Sequence, residues 1–259
     1  MSGRLSRPER RALQKQDEHF LRLPLDPGPD PRSMGAHLRH VVRLLQNSRS
    51  ASPCSDAVAY LTALYERSLP PFEGIACRKG CSHCCTQPVS ITAAEAMFVA
   101  AALKDRPDRA AALLDYEQLS RTVPAAELGR RYCPLLVEDA CSIYAARPLA
   151  CHSFVSTSLD ACIAAFDRGE EPQIPMPADG VNLLYVCRMM LMAALRLVGA
   201  DDGAYELKPA VAAALNAPDA ERRFLAGEYV FAPAGPGERP PPAYDQAIQE
   251  MAAFVYPTL

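Results

Sequence analysis

The stretch CRKGCSHCC, Cys77 to Cys85, places four cysteines within nine residues. Their spacing is C-x3-C-x2-C-C. On a helix these positions are i, i+4, i+7 and i+8, which share one face. The residues between them, Arg78, Lys79, Gly80, Ser82 and His83, are not core types. A buried stripe made wholly of cysteine is a poor choice in a chain that uses Leu, Val and Ala freely, and Gly80 weakens a continuous helix. A thiolate cage explains the pattern better. Soft sulfur ligands select zinc, copper(I) or iron–sulfur clusters over magnesium or calcium. A tetrahedral zinc site takes four of them, and so does a cubane cluster. Cys84 and Cys85 are consecutive, so their side chains diverge. That arrangement points either to two metals or to one spare thiol.

The rest of the chain decides whether ten cysteines mean disulfides or metal. The first twenty residues contain no apolar run, so no signal peptide is expected there. The most apolar long stretch, Val181 to Ala200, carries Arg188 and Arg196. Each would be costly at a bilayer centre, so a buried core helix is expected and no membrane partner. These readings place the chain in the cytoplasm, where thiols are kept reduced. Metal or redox chemistry then explains the cysteines better than a disulfide framework. A net charge of −3 argues against a general nucleic-acid binder. With 259 residues, 49% hydrophobic and 22% charged, the chain can bury a real core without a metal to rescue it.

Residues 1–35 read as a flexible N-terminal tail and proline-rich linker. Six Lys/Arg, from Arg4 to Arg22, stand in the tail, and LPLDPGPDP, Leu23 to Pro31, forms the linker. Residues 36–259 read as one helical domain. Apolar stripes predict helices over 36–48 and 55–68, ended by Pro70-Pro71. Thr92-Ala-Ala-Glu95 is a capping box ahead of strong helix-forming residues, and a further helix is expected from Asp108 to Arg121. Between Tyr132 and Cys151 the helical period breaks. Short β-like pieces at Pro134–Val137 and Ser142–Tyr144 flank an acidic turn and suggest one short β-hairpin. Helices resume at Ser158, an N-cap candidate, and over 181–198, 209–215, 218–226 and 243–254, with an irregular loop at APAGPGERPPP. The expected fold is mainly α, a single helical domain with a central, irregular, cysteine-rich metal-binding region.

Three more cysteines, Cys133, Cys141 and Cys151, stand downstream of the first four, and Arg147-Pro148 supplies a rigid turn just before the last. Seven thiols exceed what one four-coordinate ion needs. His83 and His152 are possible extra ligands. Cys54, Cys162 and Cys187 read as packing, with Cys162 the best candidate for an eighth ligand because its helix begins soon after Cys151. Arg78, Lys79 and Arg147 are placed to offset the negative charge of a thiolate-bound ion. Arg147 could alternatively lock the turn through planar, bidentate contacts.

The order Cys77-x3-Cys81-x2-Cys84-Cys85, Cys133-Pro-Leu, Cys141-Ser-Ile-Tyr and Arg147-Pro-x2-Cys151 resembles the YkgJ-type cysteine-cluster family. That family is also called the CxxCxxCC or zinc- or iron-chelating domain. The likeness covers Cys77 to Phe154 and implies metal chelation by the clustered cysteines. His152 departs from it, since relatives carry arginine there. No P-loop, HExxH, GxSxG or ferredoxin-type run is present. Cys77, Cys81 and Cys84 match the C-x3-C-x2-C triad of radical enzymes, but the βα repeats of such a barrel are missing. The expected function is chelation of zinc or iron, an iron–sulfur cluster included, through Cys77, Cys81, Cys84, Cys85, Cys133, Cys141 and Cys151. The alternatives are a redox enzyme using the same cysteines and a metal-free thiol–disulfide protein.

Overall fold

The computed structural model describes residues 5–25, 31–124, 131–235, 237–253 and 255. Arg4, residues 26–30 of the expected linker, Pro236 of the expected late loop and residue 254 of the helix expected over 243–254 lie outside these. Helix α1 (Arg7–Phe20) opens with a capping box in which the Ser6 backbone N–H donates to Glu9 Oε2 at 2.7 Å. It is pinned by Asp17, buried at 2% exposure, whose carboxylate accepts from Arg39 and Arg43 of α2 (Pro31–Leu45). Helix α2 begins ahead of its apolar stripe at Pro31, a residue suited to a first helical turn. It packs against α3 (Pro53–Ser68).

Helix α4 (Ala93–Leu103) starts where the capping box predicts. Thr92 Oγ1 accepts from the Glu95 N–H at 3.3 Å, and Glu95 Oε2 accepts from the Thr92 N–H at 2.8 Å. Its alanines 93, 94 and 96 are fully buried, which lets it lie close to α3 and to the alanine-rich α9 (Leu207–Asn216). Helix α5 (Pro107–Ser120) also packs on α9. Two short helices follow the cysteine-rich centre, α6 (Leu149–Ser153) and α7 (Leu159–Cys162), the latter capped by Ser158 Oγ accepting from the Ala161 N–H at 3.1 Å. One wide turn, 163–167, continues α7.

Helix α8 (Ala178–Val198) is long and apolar enough to cross a membrane by length and composition. Here it packs against α2, α3, α6 and α11 (Pro242–Ala253), with Cys187, Met190, Leu191 and Leu195 fully buried. It ends at Gly199, whose φ of 78° allows the Ala200 N–H to reach back to the Leu195 carbonyl at 3.0 Å. Helix α10 (Ala220–Leu225) closes over α9. Helices α2 to α6 and α8 to α11 all contribute buried apolar side chains to one cluster.

Two small sheets complete a mainly helical fold. Strand β1 (Ser90–Thr92) pairs antiparallel with β4 (Ala204–Glu206), Ile91 opposite Tyr205. This pairing joins distant segments and is not foreshadowed by any run of alternation. The hairpin of β2 (Leu136–Val137) and β3 (Ala140–Cys141) lies near its expected place but is shorter. Its turn residues, Glu138 and Asp139, both have positive φ, as the tight hairpin turn requires. The expected second strand, Ser142–Tyr144, is displaced. Its pairing residues are Ala140 and Cys141, and Tyr144 instead opens a 3-10 turn, 144–146.

Candidate metal centre

The four cysteines of the opening stretch do not lie on one continuous helix. Gly80 has a φ of 85°, a left-handed conformation that breaks any helix at that point. The Cys81 N–H closes a turn onto the Arg78 carbonyl at 3.0 Å. Cys84 and Cys85 then fall on a single 3-10 turn, His83–Thr86, where the Cys85 N–H donates to the Ser82 carbonyl at 2.9 Å. Cys84 and Cys85 sit at consecutive positions of this turn, and their thiols are within hydrogen-bonding reach of each other.

Backbone bonds bring the other segments to this loop. The Cys133 N–H donates to the Cys85 carbonyl at 2.7 Å, and the Leu136 N–H turns back to the Cys133 carbonyl at 3.0 Å. The hairpin carries Cys141 opposite Leu136. Ser82 Oγ donates to Asp139 Oδ1 at 3.2 Å, tying the loop to the hairpin turn. On the other side, the Ser156 N–H donates to Cys77 Sγ at 3.3 Å, while the Ala76 N–H donates to the Ser156 carbonyl at 2.8 Å. Cys151 sits on α6, whose first residue is fixed by a bond from the Leu149 N–H to Glu95 Oε1 at 3.0 Å.

The result is one cavity of about 880 Å³ lined by Cys77, Cys81, Cys84, Cys85, Cys133, Cys141 and Cys151. All seven are free thiols and half-buried. Among the described residues, no three Cys, His, Asp or Glu side chains are yet drawn together at ion-holding spacing. Arg78, Lys79, Arg147, Arg188 and Lys208 line the same space, with Asp139 as its acid. Lys208 is partly satisfied already, by Glu206 Oε1 at 2.7 Å. Arg147 holds its turn by donating once to the Tyr144 carbonyl at 3.2 Å and by stacking over the Tyr144 ring at 3.6 Å. The planar contact expected of it is therefore aromatic rather than bidentate.

Electrostatics divide the thiols. Hydrogen bonding from Cys85 brings the Cys84 thiol down to about 7, against the opposing effect of burial and with help from Arg147 and His83. Cys85 is pushed strongly upward by that same contact, by burial and by Cys84, Cys133 and Cys151. Burial also raises Cys81, Cys133 and Cys141, and it raises Cys151 to about 12. A thiolate of lowered pKa is available near neutrality, whereas the raised ones lose their protons in exchange for a cation.

The histidines differ. His83 Nδ1 is engaged by Asp167 at 2.8 Å, which joins the vicinal-pair turn to the wide turn after α7. His152 lines the cavity, and burial followed by Arg147 lowers it to about 4, so it is neutral. Its Nε2 is buried and has no partner among the described residues. Cys54 and Cys187 are fully buried away from the cavity lining, and Cys162 is 6% exposed at the end of α7. Ser156, Arg188 and Lys208 carry no motif that marks them. Glu95 is legible only as a helix cap.

No curated protein and no solved structure matches this chain. Residues 76–171 do match the model of the CxxCxxCC family, described as "Putative zinc- or iron-chelating domain", a span that runs beyond Phe154 to take in Cys162. The segment that carries the seven cysteines of the cavity is thus similar to that family's domain.

Proposed function

We propose that this chain chelates zinc or iron through Cys77, Cys81, Cys84, Cys85, Cys133, Cys141 and Cys151. The observation that carries the reading is their convergence from four separate pieces of chain onto one cavity. The donor set fits such a group in kind: half-buried free thiols with cationic side chains beside them to offset thiolate charge. Short irregular turns carry most of these sulfurs, which lets them draw inward around an ion. The metal would supply the energy of closing the centre. Anaerobic purification followed by elemental analysis and a visible spectrum tests the reading. Stoichiometric zinc in a colourless protein, or iron with sulfide in a brown one, supports it. A folded protein that binds neither overturns it.

A second reading rests on Cys84. Its lowered thiol beside the raised Cys85 has the character of a reactive pair, and the cavity is larger than ions alone fill. This reading makes the chain a redox enzyme, thiol-dependent or iron–sulfur. In the metal-free form it expects reversible oxidation of Cys84 and Cys85 to a disulfide, measured by thiol counting before and after a dithiol reductant.

A further inference from the structure

Cys162 does not line the cavity, yet it is tied to the same loop by Ser156. The Ser156 N–H reaches Cys77 Sγ at 3.3 Å, and the Ser156 hydroxyl accepts at 3.0 Å from the N–H of Ser158, the cap residue of the helix that ends in Cys162. The turn carrying Cys84 packs on the wide turn that follows Cys162, locked there by His83 and Asp167. Cys77, Cys81, Cys84 and Cys162 therefore share one side of the site. On the other side, the Cys85 carbonyl accepts from the Cys133 N–H at 2.7 Å, and the tight turn after Cys133 leads directly into the hairpin bearing Cys141.

We propose that the cysteines form two separate four-sulfur metal centres, one from Cys77, Cys81, Cys84 and Cys162 and the other from Cys85, Cys133, Cys141 and Cys151. The vicinal pair is split, one sulfur to each centre, which resolves the difficulty of placing consecutive side chains on one ion. The proposal rests on the chelating reading above and deepens it.

Each set has the four sulfurs that a tetrahedral zinc or a cubane cluster takes.

The test loads the reduced full-length chain with Zn²⁺ and measures zinc per chain together with the sulfur count from zinc X-ray absorption. The wild type is expected to hold two zinc ions in all-sulfur shells. Cys162→Ser and Cys141→Ser should each hold one tightly, still in an all-sulfur shell, and the double variant should hold none tightly. The remaining ion in each single variant reports that the chain still folds. Undiminished zinc with an unchanged shell in Cys162→Ser overturns the partition, as does loss of both ions from either single variant. A wild type that binds one zinc overturns the partition and leaves chelation standing. A wild type that binds none overturns the partition, and chelation then stands or falls by the iron measurement above.

Discussion

Glu95 is the residue whose removal should couple the fold to the candidate centre most directly. Its side chain is fully buried. One oxygen, Oε2, accepts from the Thr92 N–H at 2.8 Å and from the Thr92 hydroxyl at 3.0 Å, and the other accepts from the Leu149 N–H at 3.0 Å. The first two bonds start α4, and the third fixes the turn that delivers Cys151. Glu95→Ala strands three buried donors. Each orphan costs ~1–3 kcal/mol, and partial relaxation keeps the sum nearer ~3–5 kcal/mol. Glu95→Gln retains the volume but offers one acceptor oxygen, so ~2 kcal/mol is expected. Urea unfolding measures both as a fall in midpoint at constant slope. The local consequence is separable. A thiol reagent followed by mass spectrometry should label Cys151 several-fold faster in Glu95→Gln than in wild type. Thr92→Val loosens the helix start yet keeps the Leu149 bond, so its Cys151 rate should stay close to wild type. If Glu95→Ala lies within ~1 kcal/mol of wild type, or if Thr92→Val accelerates Cys151 as much as Glu95→Gln does, the claim that this carboxylate braces the centre is wrong.

Asp17→Ala leaves the largely buried Arg39 guanidinium without its carboxylate, at ~3–5 kcal/mol, and should raise hydrogen exchange across 7–20 while α3 stays protected. The exposed partner Arg43 contributes little of that cost, so Arg43→Ala should be nearly neutral. His37 hydrogen-bonds Tyr60 and is lowered to about 4 by burial, then by Arg67 and His40, against the pull of Asp17. Its folded pKa lies below its unfolded one, so the unfolded chain takes up the proton first, and stability falls as pH drops from ~6.5 towards ~4. The loss is ~2–3 kcal/mol, and His37→Gln should flatten that part of the stability-against-pH curve; parallel curves would refute the assignment. At Gly80 an added Cβ meets nothing within 4 Å, so Gly80→Ala acts through its positive φ alone, at ~1–2 kcal/mol. The urea midpoint of the metal-free chain should fall by about that amount, since the strained φ belongs to the fold without metal; an unchanged midpoint would refute it.

Helices were the most legible part of the chain because their signals are local. The Thr92–Glu95 cap, the Ser158 cap and the apolar stripes of α2, α3 and α8 each act within a few residues, and each marks an observed element. The boundaries slipped where proline reads ambiguously. Pro31 opens its helix, although it reads as the end of the linker. The pairing of β1 with β4 had no such signal. Its strands are three residues each, lie far apart in sequence and owe their register to the packing of α4 on α9.

The cysteine site divides in the same way. Residue type and spacing, both local, single out the seven thiols, and the tight turn of Cys84 and Cys85 follows from their adjacency. What spacing cannot express is which sulfurs face one another. That depends on bonds that residue type does not announce: the Cys85 carbonyl holding Cys133, Ser156 holding Cys77, and Glu95 holding the turn before Cys151. All three lie in or beside backbone that is neither helix nor sheet, where buried polar groups must still find partners. The price of an irregular, thiol-rich centre is thus a shell of ordinary residues that satisfy its backbone. Under the proposed partition, that shell sets which side of the site each sulfur serves. Mutating the shell should therefore redistribute metal between the two sides before it unfolds the surrounding helices.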